Sequence, residues 1–123
     1  MKVLRTIPRL HVADLKRSIA FYSDVLGFSV TETWPEEAPT FAIMSRDETQ
    51  LQLMEMADGA GKGTIYIDTE AHPQDHAALQ ARVNLNWGPE VFWYGRYEYA
   101  FQDPDGHHII VSSRTDEPLT RSV

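Results

Sequence analysis

The sequence contains no cysteine, no long apolar segment and no excess of positive charge. Without cysteine, a disulfide, a thiolate nucleophile and a cysteine-based zinc site are all excluded. No stretch approaches the ~20 apolar residues that a membrane-spanning helix needs. Acidic residues outnumber basic ones by 18 to 11, for a formal net charge of −7. Such a charge disfavours nucleic-acid binding, because phosphates are repelled, and favours cationic small molecules.

What is present is typical of a globular protein. The chain has 123 residues, of which 42% are hydrophobic and 24% charged, and that length can bury a core without metal or disulfide staples. The first dozen residues carry three basic side chains and lack the apolar core of a signal peptide. We therefore expect one cytoplasmic domain covering residues 1–123, with no membrane partner.

The first half predicts a strand, a helix and three further strands. Asp14 is a suitable N-cap, and apolar residues follow it at helical spacing as far as Leu26. Gly27 then stops the helix, since glycine tolerates positive φ. The predicted elements are a strand over 3–12, a helix over 14–26 and strands over 28–34, 40–44 and 49–56.

The second half predicts the same order again. A glycine-rich segment over 58–63 marks the boundary, and Pro73 stands where the second helix should begin. The predicted strands are 64–68, 90–94, 97–102 and 108–113. Each half thus follows a βαβββ pattern, which gives two modules over about 3–57 and 63–113. The expected fold class is α+β, with both modules forming a curved, cup-like mixed sheet and the helices on its convex face.

Two segments carry a resemblance to a known family. LHVADLKRSIAFYSDVLGF (10–28) is similar to the opening of the vicinal oxygen chelate superfamily, which contains glyoxalase I, extradiol dioxygenases and bleomycin resistance proteins. Tyr94-Gly95-Arg96, followed by Asp103-Pro104-Asp105-Gly106-His107, resembles its closing hairpin. Proline and glycine in the latter favour a type I turn. The resemblance implies the fold; neither motif specifies a reaction.

The resemblance also implies where a metal would bind. In the family's enzymes four side chains from the first and last strands of each module hold a divalent ion, and by register these positions are Ile7, Gln52, Thr64 and Ile110. Isoleucine has no donor atom, and neutral glutamine and threonine oxygens are weak donors for such an ion. We therefore predict no metal site and no cofactor.

The histidines of the sequence do not predict a metal site either. His72 and His76 have the i, i+4 spacing of a zinc pair, but no third ligand is visible nearby, so we interpret them as an exposed helical pair. His11 is expected at a strand–helix corner. His108 shares the parity of Ile110 and is a candidate ligand contact.

A pocket without a metal must recognise its ligand by shape, ring stacking and charge. The predicted ligand-binding residues combine aromatic side chains with polar groups at the former metal positions: Trp34, Phe41, Gln52, Thr64, Tyr66, Trp93, Tyr94, Tyr99 and His108. Acidic residues cluster at Glu32, Glu36, Glu37, Asp47, Glu48, Glu55 and Asp58. They form either a solvated surface or a negative rim that attracts a cationic ligand.

Among the family's members, the metal-free bleomycin resistance proteins are the most similar in length and acidity. That resemblance implies a homodimer that sequesters an amphipathic or cationic, planar small molecule without turnover, with antibiotic resistance as the consequence and no catalytic residue. The alternative is an enzyme of the same fold, of the lyase, isomerase or dioxygenase type, for which Glu55, Glu98 and His108 are the acid/base candidates. A third alternative is a regulatory module with an empty cup.

Overall fold

Each half of the chain builds its own four-stranded mixed sheet. The computed structural model describes residues 1–57 and 61–120, and the chain divides into unit 1, Met1–Gly61, and unit 2, Lys62–Val123. The predicted α+β class and the two βαβββ modules are confirmed. The predicted boundary segment 58–63 lies partly outside the described residues, since positions 58–60 fall there.

Unit 1 contains one helix and four strands. The strand order is β1-β4-β3-β2, with β1 parallel to β4 and the other pairs antiparallel. The elements are β1 (Arg9–Val12), α1 (Leu15–Asp24), β2 (Ser29–Trp34), β3 (Phe41–Arg46) and β4 (Thr49–Glu55). As predicted, the Asp14 carboxylate caps α1 by accepting from the Arg17 amide at 3.1 Å, and Gly27 takes a φ of +70° just after the helix.

Unit 2 repeats this topology. Its elements are β5 (Thr64–Thr69), α2 (Pro73–Gln80), β6 (Trp87–Phe92), β7 (Arg96–Gln102) and β8 (His108–Arg114), in the sheet order β5-β8-β7-β6. Pro73 is the first residue of α2, as predicted. The Asp103–Gly106 turn closes the hairpin between β7 and β8: the Gly106 amide donates to the Asp103 carbonyl oxygen at 3.0 Å.

The strand pattern separates two faces in each sheet, because alternate side chains point to opposite sides. In unit 1 the buried face carries residues such as Leu51 and Leu53 of β4. In unit 2 it carries Tyr99 and Phe101. The opposite side of each sheet, called the helix-free face below, lacks a covering helix of its own unit and positions the candidate site.

Two predicted strands differ most in extent from the observed ones. The first strand begins at Arg9, not residue 3, because Pro8 has no amide hydrogen to continue the ladder. The strand predicted over 90–94 is β6, Trp87–Phe92. A turn follows it, because Gly95 takes a φ of +78° and its amide donates to the Phe92 carbonyl oxygen. In β2, a bulge between Val30 and Glu32 interrupts the regular pairing with β3.

The interpretation of His72 and His76 as an exposed pair was wrong for His76. His72 is exposed and is the N-cap of α2. His76 is only 5% exposed and lies against the sheet of unit 2. Its Nδ1 is 2.8 Å from the Tyr99 hydroxyl and its Nε2 is 2.9 Å from Ser113 Oγ. Among the described helix residues, it is the one buried side chain of α2.

Candidate ligand-binding site

A row of aromatic rings crosses the helix-free face of unit 2. The Trp87 ring lies 6.4 Å from His108 and 6.1 Å from Phe92, centroid to centroid. Phe92 is stacked on Tyr94 at 5.5 Å with an interplanar angle of 7°. We call His108, Trp87, Phe92 and Tyr94 the aromatic row. Trp87 meets both neighbours edge-to-face, at 71° and 87°, whereas Phe92 and Tyr94 are parallel. The parallel pair is the part of the row on which a planar molecule could stack.

The aromatic row has an exposed end. Trp93, in the turn after β6, is 68% exposed and meets Tyr94 edge-to-face at 5.3 Å. Tyr94 itself is 47% exposed. Large exposed aromatic side chains that touch one another are typical of recognition surfaces rather than of a core.

A buried carboxylate lies beside the row. Glu98, in the middle of β7, accepts a hydrogen bond from the Tyr94 hydroxyl at 2.6 Å and another from the Tyr66 hydroxyl. The Tyr66 hydroxyl also lies 2.7 Å from Ser112 Oγ. Burial, followed by the hydrogen bond to Glu98, raises the pKa of Tyr66, and the same causes raise the pKa of Tyr94 to about 12. Both phenols therefore stay protonated at neutral pH and donate to the carboxylate.

An ion pair borders this group. Arg96, at the start of β7, donates to the Asp68 carboxylate on β5 at 2.6 Å. This hydrogen bond lowers the pKa of Asp68 and raises the pKa of Arg96. A polar cavity of about 360 Å³ opens beyond the pair and is lined by Asp68, Thr69, Glu70, Ala71, Ser113 and Arg114.

Unit 1 carries a smaller group on its own helix-free face. The Arg9 guanidinium lies 5.3 Å from the centroid of the Phe41 ring and its Nε donates to Gln52 Oε1 at 2.9 Å. Trp34, the register partner of Phe41, is 68% exposed at the end of β2. A guanidinium over an aromatic face is a cation–π arrangement.

The structure brings most of the sequence-predicted binding residues onto these two faces. In unit 1 they are Trp34, Phe41 and Gln52. In unit 2 they are Thr64, Tyr66 and His108 through strand register, and Tyr94 through its bond to Glu98. Trp93 joins them at the exposed end of the row. Tyr99 is placed differently: it is fully buried beneath α2, where its hydroxyl contacts His76.

Sequence reasoning missed four contributors. Phe92 completes the stack on Tyr94, Trp87 links Phe92 to His108, Arg9 covers Phe41, and Glu98 was named only as an acid/base candidate. The sequence carried a signal for Glu98, because a charged residue between two tyrosines in the middle of strand RYEYAFQ needs hydrogen-bond partners when it is buried.

The positions that the resemblance assigns to a metal do not fit one. Ile7 and Ile110 have no donor atom, and Gln52 Oε1 is held by the Arg9 guanidinium, a positive charge that would repel a divalent ion. In residues 1–57 and 61–120, no three histidine, aspartate or glutamate side chains come together in a way that could hold a metal ion.

The acid/base candidates do not converge either. Glu55 accepts from the Leu15 amide at 2.9 Å and so serves the start of α1. Glu98 and His108 both face the helix-free side of unit 2, but the register partner of Glu98 on β8 is Ser112. That residue is four positions from His108, a separation of roughly 13 Å along the strand.

The acidic residues around unit 1 fall into two kinds. Glu55 is engaged at α1, whereas Glu32, Glu36, Glu37, Asp47 and Glu48 are exposed. Asp58 lies outside the described residues. Within the part of the chain that the structure describes, no helix is both long and apolar enough to cross a membrane.

Comparison with known proteins identifies the relatives of this chain. The model of the glyoxalase/bleomycin resistance protein/dioxygenase superfamily matches residues 5–111. Bleomycin resistance proteins of Geobacillus stearothermophilus and Staphylococcus aureus are each 38% identical over 128 residues, covering 87% of this chain and 94% of the relative. The crystal structure of TioX from Micromonospora sp. ML1 matches with a TM-score of 0.78 at 14% identity, covering 88% of this chain and 96% of that one. At that identity, the structural match shows the fold alone.

Proposed function

We propose that this chain, which belongs to the glyoxalase/bleomycin resistance protein/dioxygenase superfamily, sequesters a planar, cationic small molecule without metal and without turnover. The observation that supports this most is the aromatic row on the helix-free face of unit 2, flanked by the buried carboxylate of Glu98. Rings bind planar molecules by stacking, and each such pair contributes about 0.5–1.5 kcal/mol beyond the burial of its area.

Bleomycin is the first ligand to test. The curated relatives are named bleomycin resistance proteins and are similar over nearly their whole length. The net charge of −7 favours a cationic ligand through its long-range field, which raises the association rate. The proposal therefore includes resistance to a bleomycin-type antibiotic through capture of the drug.

The proposal also includes a homodimer. The strand β2 forms one edge of the unit 1 sheet, and all six of its residues are exposed. An exposed edge strand is a template for pairing with a second chain. Size-exclusion chromatography with light scattering measures the mass directly; a monomer of 14.0 kDa at all concentrations would contradict this part.

Thermal denaturation with and without bleomycin tests binding. A ligand at 100 times its Kd adds about 2.7 kcal/mol to the free energy of unfolding, which is a clear rise in Tm. The rise should persist in a chelator, and mass spectrometry should recover the drug unchanged. A rise seen only with added divalent metal, or a modified drug, would contradict the proposal.

Tyr94→Ala tests the location. This substitution removes the ring stacked on Phe92, and we expect the Kd to rise about tenfold. Leu4→Ala is the matched control, because Leu4 is 83% exposed in the segment before β1. Equal effects of the two substitutions would show that the aromatic row is not the binding surface.

A further inference from the structure

Glu98 places a carboxylate at the hydroxyl ends of two exposed tyrosine rings. Its side chain is 3% exposed, whereas Tyr66 and Tyr94, which both donate to it, are 50% and 47% exposed. A buried carboxylate bound by neutral donors is costly unless something else lowers its energy. The arrangement is therefore a buried carboxylate whose hydrogen-bond donors are half-exposed tyrosines.

The charge of Glu98 is not balanced by an ion pair within the described part of the chain. Its hydrogen bonds come from phenols alone. Arg96 interacts with Glu98 electrostatically, but its guanidinium is bound to Asp68 at 2.6 Å, so those two charges offset each other. This leaves the carboxylate of Glu98, together with that of its register partner Glu90 on β6, beside the aromatic rings of this face.

We infer that Tyr66, Tyr94 and Glu98 form a subsite for the positively charged nitrogen of an aromatic cation. We call these three residues the tyrosine subsite. A cation over a phenol ring is attracted by the negative face of the ring. Glu98, bound to the hydroxyls of both rings, adds a charge whose effect is stronger than in water because its surroundings are less polar. The planar part of the ligand would then continue along the row onto Phe92, which is parallel to Tyr94.

This inference rests on the proposed function and narrows it. The proposed function requires only that the ligand stacks on aromatic rings and is attracted by the overall negative charge of the protein. The tyrosine subsite goes further, because it assigns the preference for a cationic ligand to the carboxylate of Glu98. Attraction by the exposed acidic residues of unit 1 acts at long range and is screened by salt. The subsite acts at contact distance, and its effect should depend on Glu98 individually.

A pair of matched probes separates charge from shape. N-methylquinolinium and 4-methylquinoline have the same ring system and differ by one permanent charge when the latter is unprotonated. Their affinities are measured by NMR chemical-shift titration of the full chain, in its native oligomeric state, at slightly alkaline pH. We expect the cation to bind about tenfold more tightly, which corresponds to about 1.4 kcal/mol.

Glu98→Gln should abolish this preference, because glutamine keeps the size and the hydrogen-bonding capacity but not the charge. Glu36→Gln removes one exposed charge of the unit 1 cluster and is the matched control; the preference should persist in it. A preference that survives in folded Glu98→Gln would overturn the inference, and so would equal affinity of the unmodified protein for both probes or no binding of either.

The unmodified protein provides a test that does not depend on the folding of a variant. Nuclear Overhauser contacts from the N-methyl group should reach the ring protons of Tyr66 and Tyr94. Contacts only elsewhere would refute the subsite. If bleomycin fails to bind while the cation preference depends on Glu98, then the proposed drug is wrong and the subsite stands. If bleomycin binds and Glu98→Gln leaves the preference for the cation intact, then the proposed drug stands and the tyrosine subsite is wrong.

Discussion

Replacing His76 by alanine should destabilise the protein by about 3 kcal/mol. The imidazole of His76 contacts the Tyr99 hydroxyl with one nitrogen and Ser113 Oγ with the other, at 2.8 and 2.9 Å. It also packs against the rings of Tyr97 and Tyr99 at 5.0 and 5.3 Å. Because α2 buries no other side chain among its described residues, this substitution removes the main anchor of the helix.

The magnitude follows from the groups left behind. Each buried hydroxyl that loses its partner costs about 1–3 kcal/mol. Loss of the ring packing adds to this, and a water molecule entering the space would offset part of it. A total of about 3 kcal/mol is a large share of the 5–15 kcal/mol that typically stabilises a domain.

The same residue makes the stability depend on pH. Burial lowers the pKa of His76 below its ordinary value of 6.5, with Asp75 acting in the opposite direction. Between the two pKa values the unfolded state binds more protons than the folded state, so stability rises with pH in that window. The contribution of His76 is complete above its unfolded pKa and is lost as the pH falls from there toward the folded value.

Urea unfolding at a series of pH values measures both effects. The difference in unfolding free energy between the unmodified protein and His76→Ala should be largest at neutral pH and should shrink on acidification. His72→Ala is the control on the same helix, where an N-cap change costs about 1 kcal/mol. A difference that stays constant with pH, or equal losses at the two histidines, would refute the reasoning.

Three further perturbations test other parts of unit 2. In an absorbance titration, one tyrosine should ionise near pH 12, because burial and the hydrogen bond to Glu98 raise the pKa of Tyr94 to about 12. Glu98→Gln should lower the midpoint of that ionisation. An unchanged midpoint would argue against the contact between Tyr94 and Glu98. Gly88→Ala should lower the free energy of unfolding, measured in urea, by about 1–3 kcal/mol or more. The reason is that φ at Gly88 is +83° and an added Cβ would lie 2.6 Å from the Glu98 carbonyl oxygen. An unchanged free energy of unfolding would contradict this geometry. Asp103→Ala should cost about 1–3 kcal/mol, because Asp103 Oδ1 accepts two backbone amides at 2.9 Å, and Asp103→Asn should recover most of the loss.

Local patterns predicted the scaffold because they depend on neighbouring residues. The cap at Asp14 and the alternation of Leu51 and Leu53 are readable within a few positions. The environment of His76 is not, since its partners are 23 and 37 residues away along the chain. A histidine at helical spacing looks the same whether it faces solvent or two distant hydroxyls.

The sequence predicted some residues of the candidate site correctly and misplaced Tyr99. The register of the family resemblance selected Thr64 and strand parity selected His108, and both lie on the helix-free face of unit 2. Alternation also puts Tyr97, Tyr99 and Phe101 of β7 on one face, but it cannot say which face the helix covers. The contact of α2 with Tyr99 settles that question, and it moves Tyr99 from the ligand list to the core.

The helix-free face of unit 2 meets the demands of a planar cation better than those of a metal ion. A metal ion requires several charged or imidazole donors that converge on one point at about 2 Å. Here the rings stand 5.5–6.4 Å apart in succession, and the buried carboxylate is already bound by two phenols. Restoring a donor at Ile110 alone would therefore not create a metal centre. The phenols would still hold Glu98, and Thr64 would remain a weak neutral ligand.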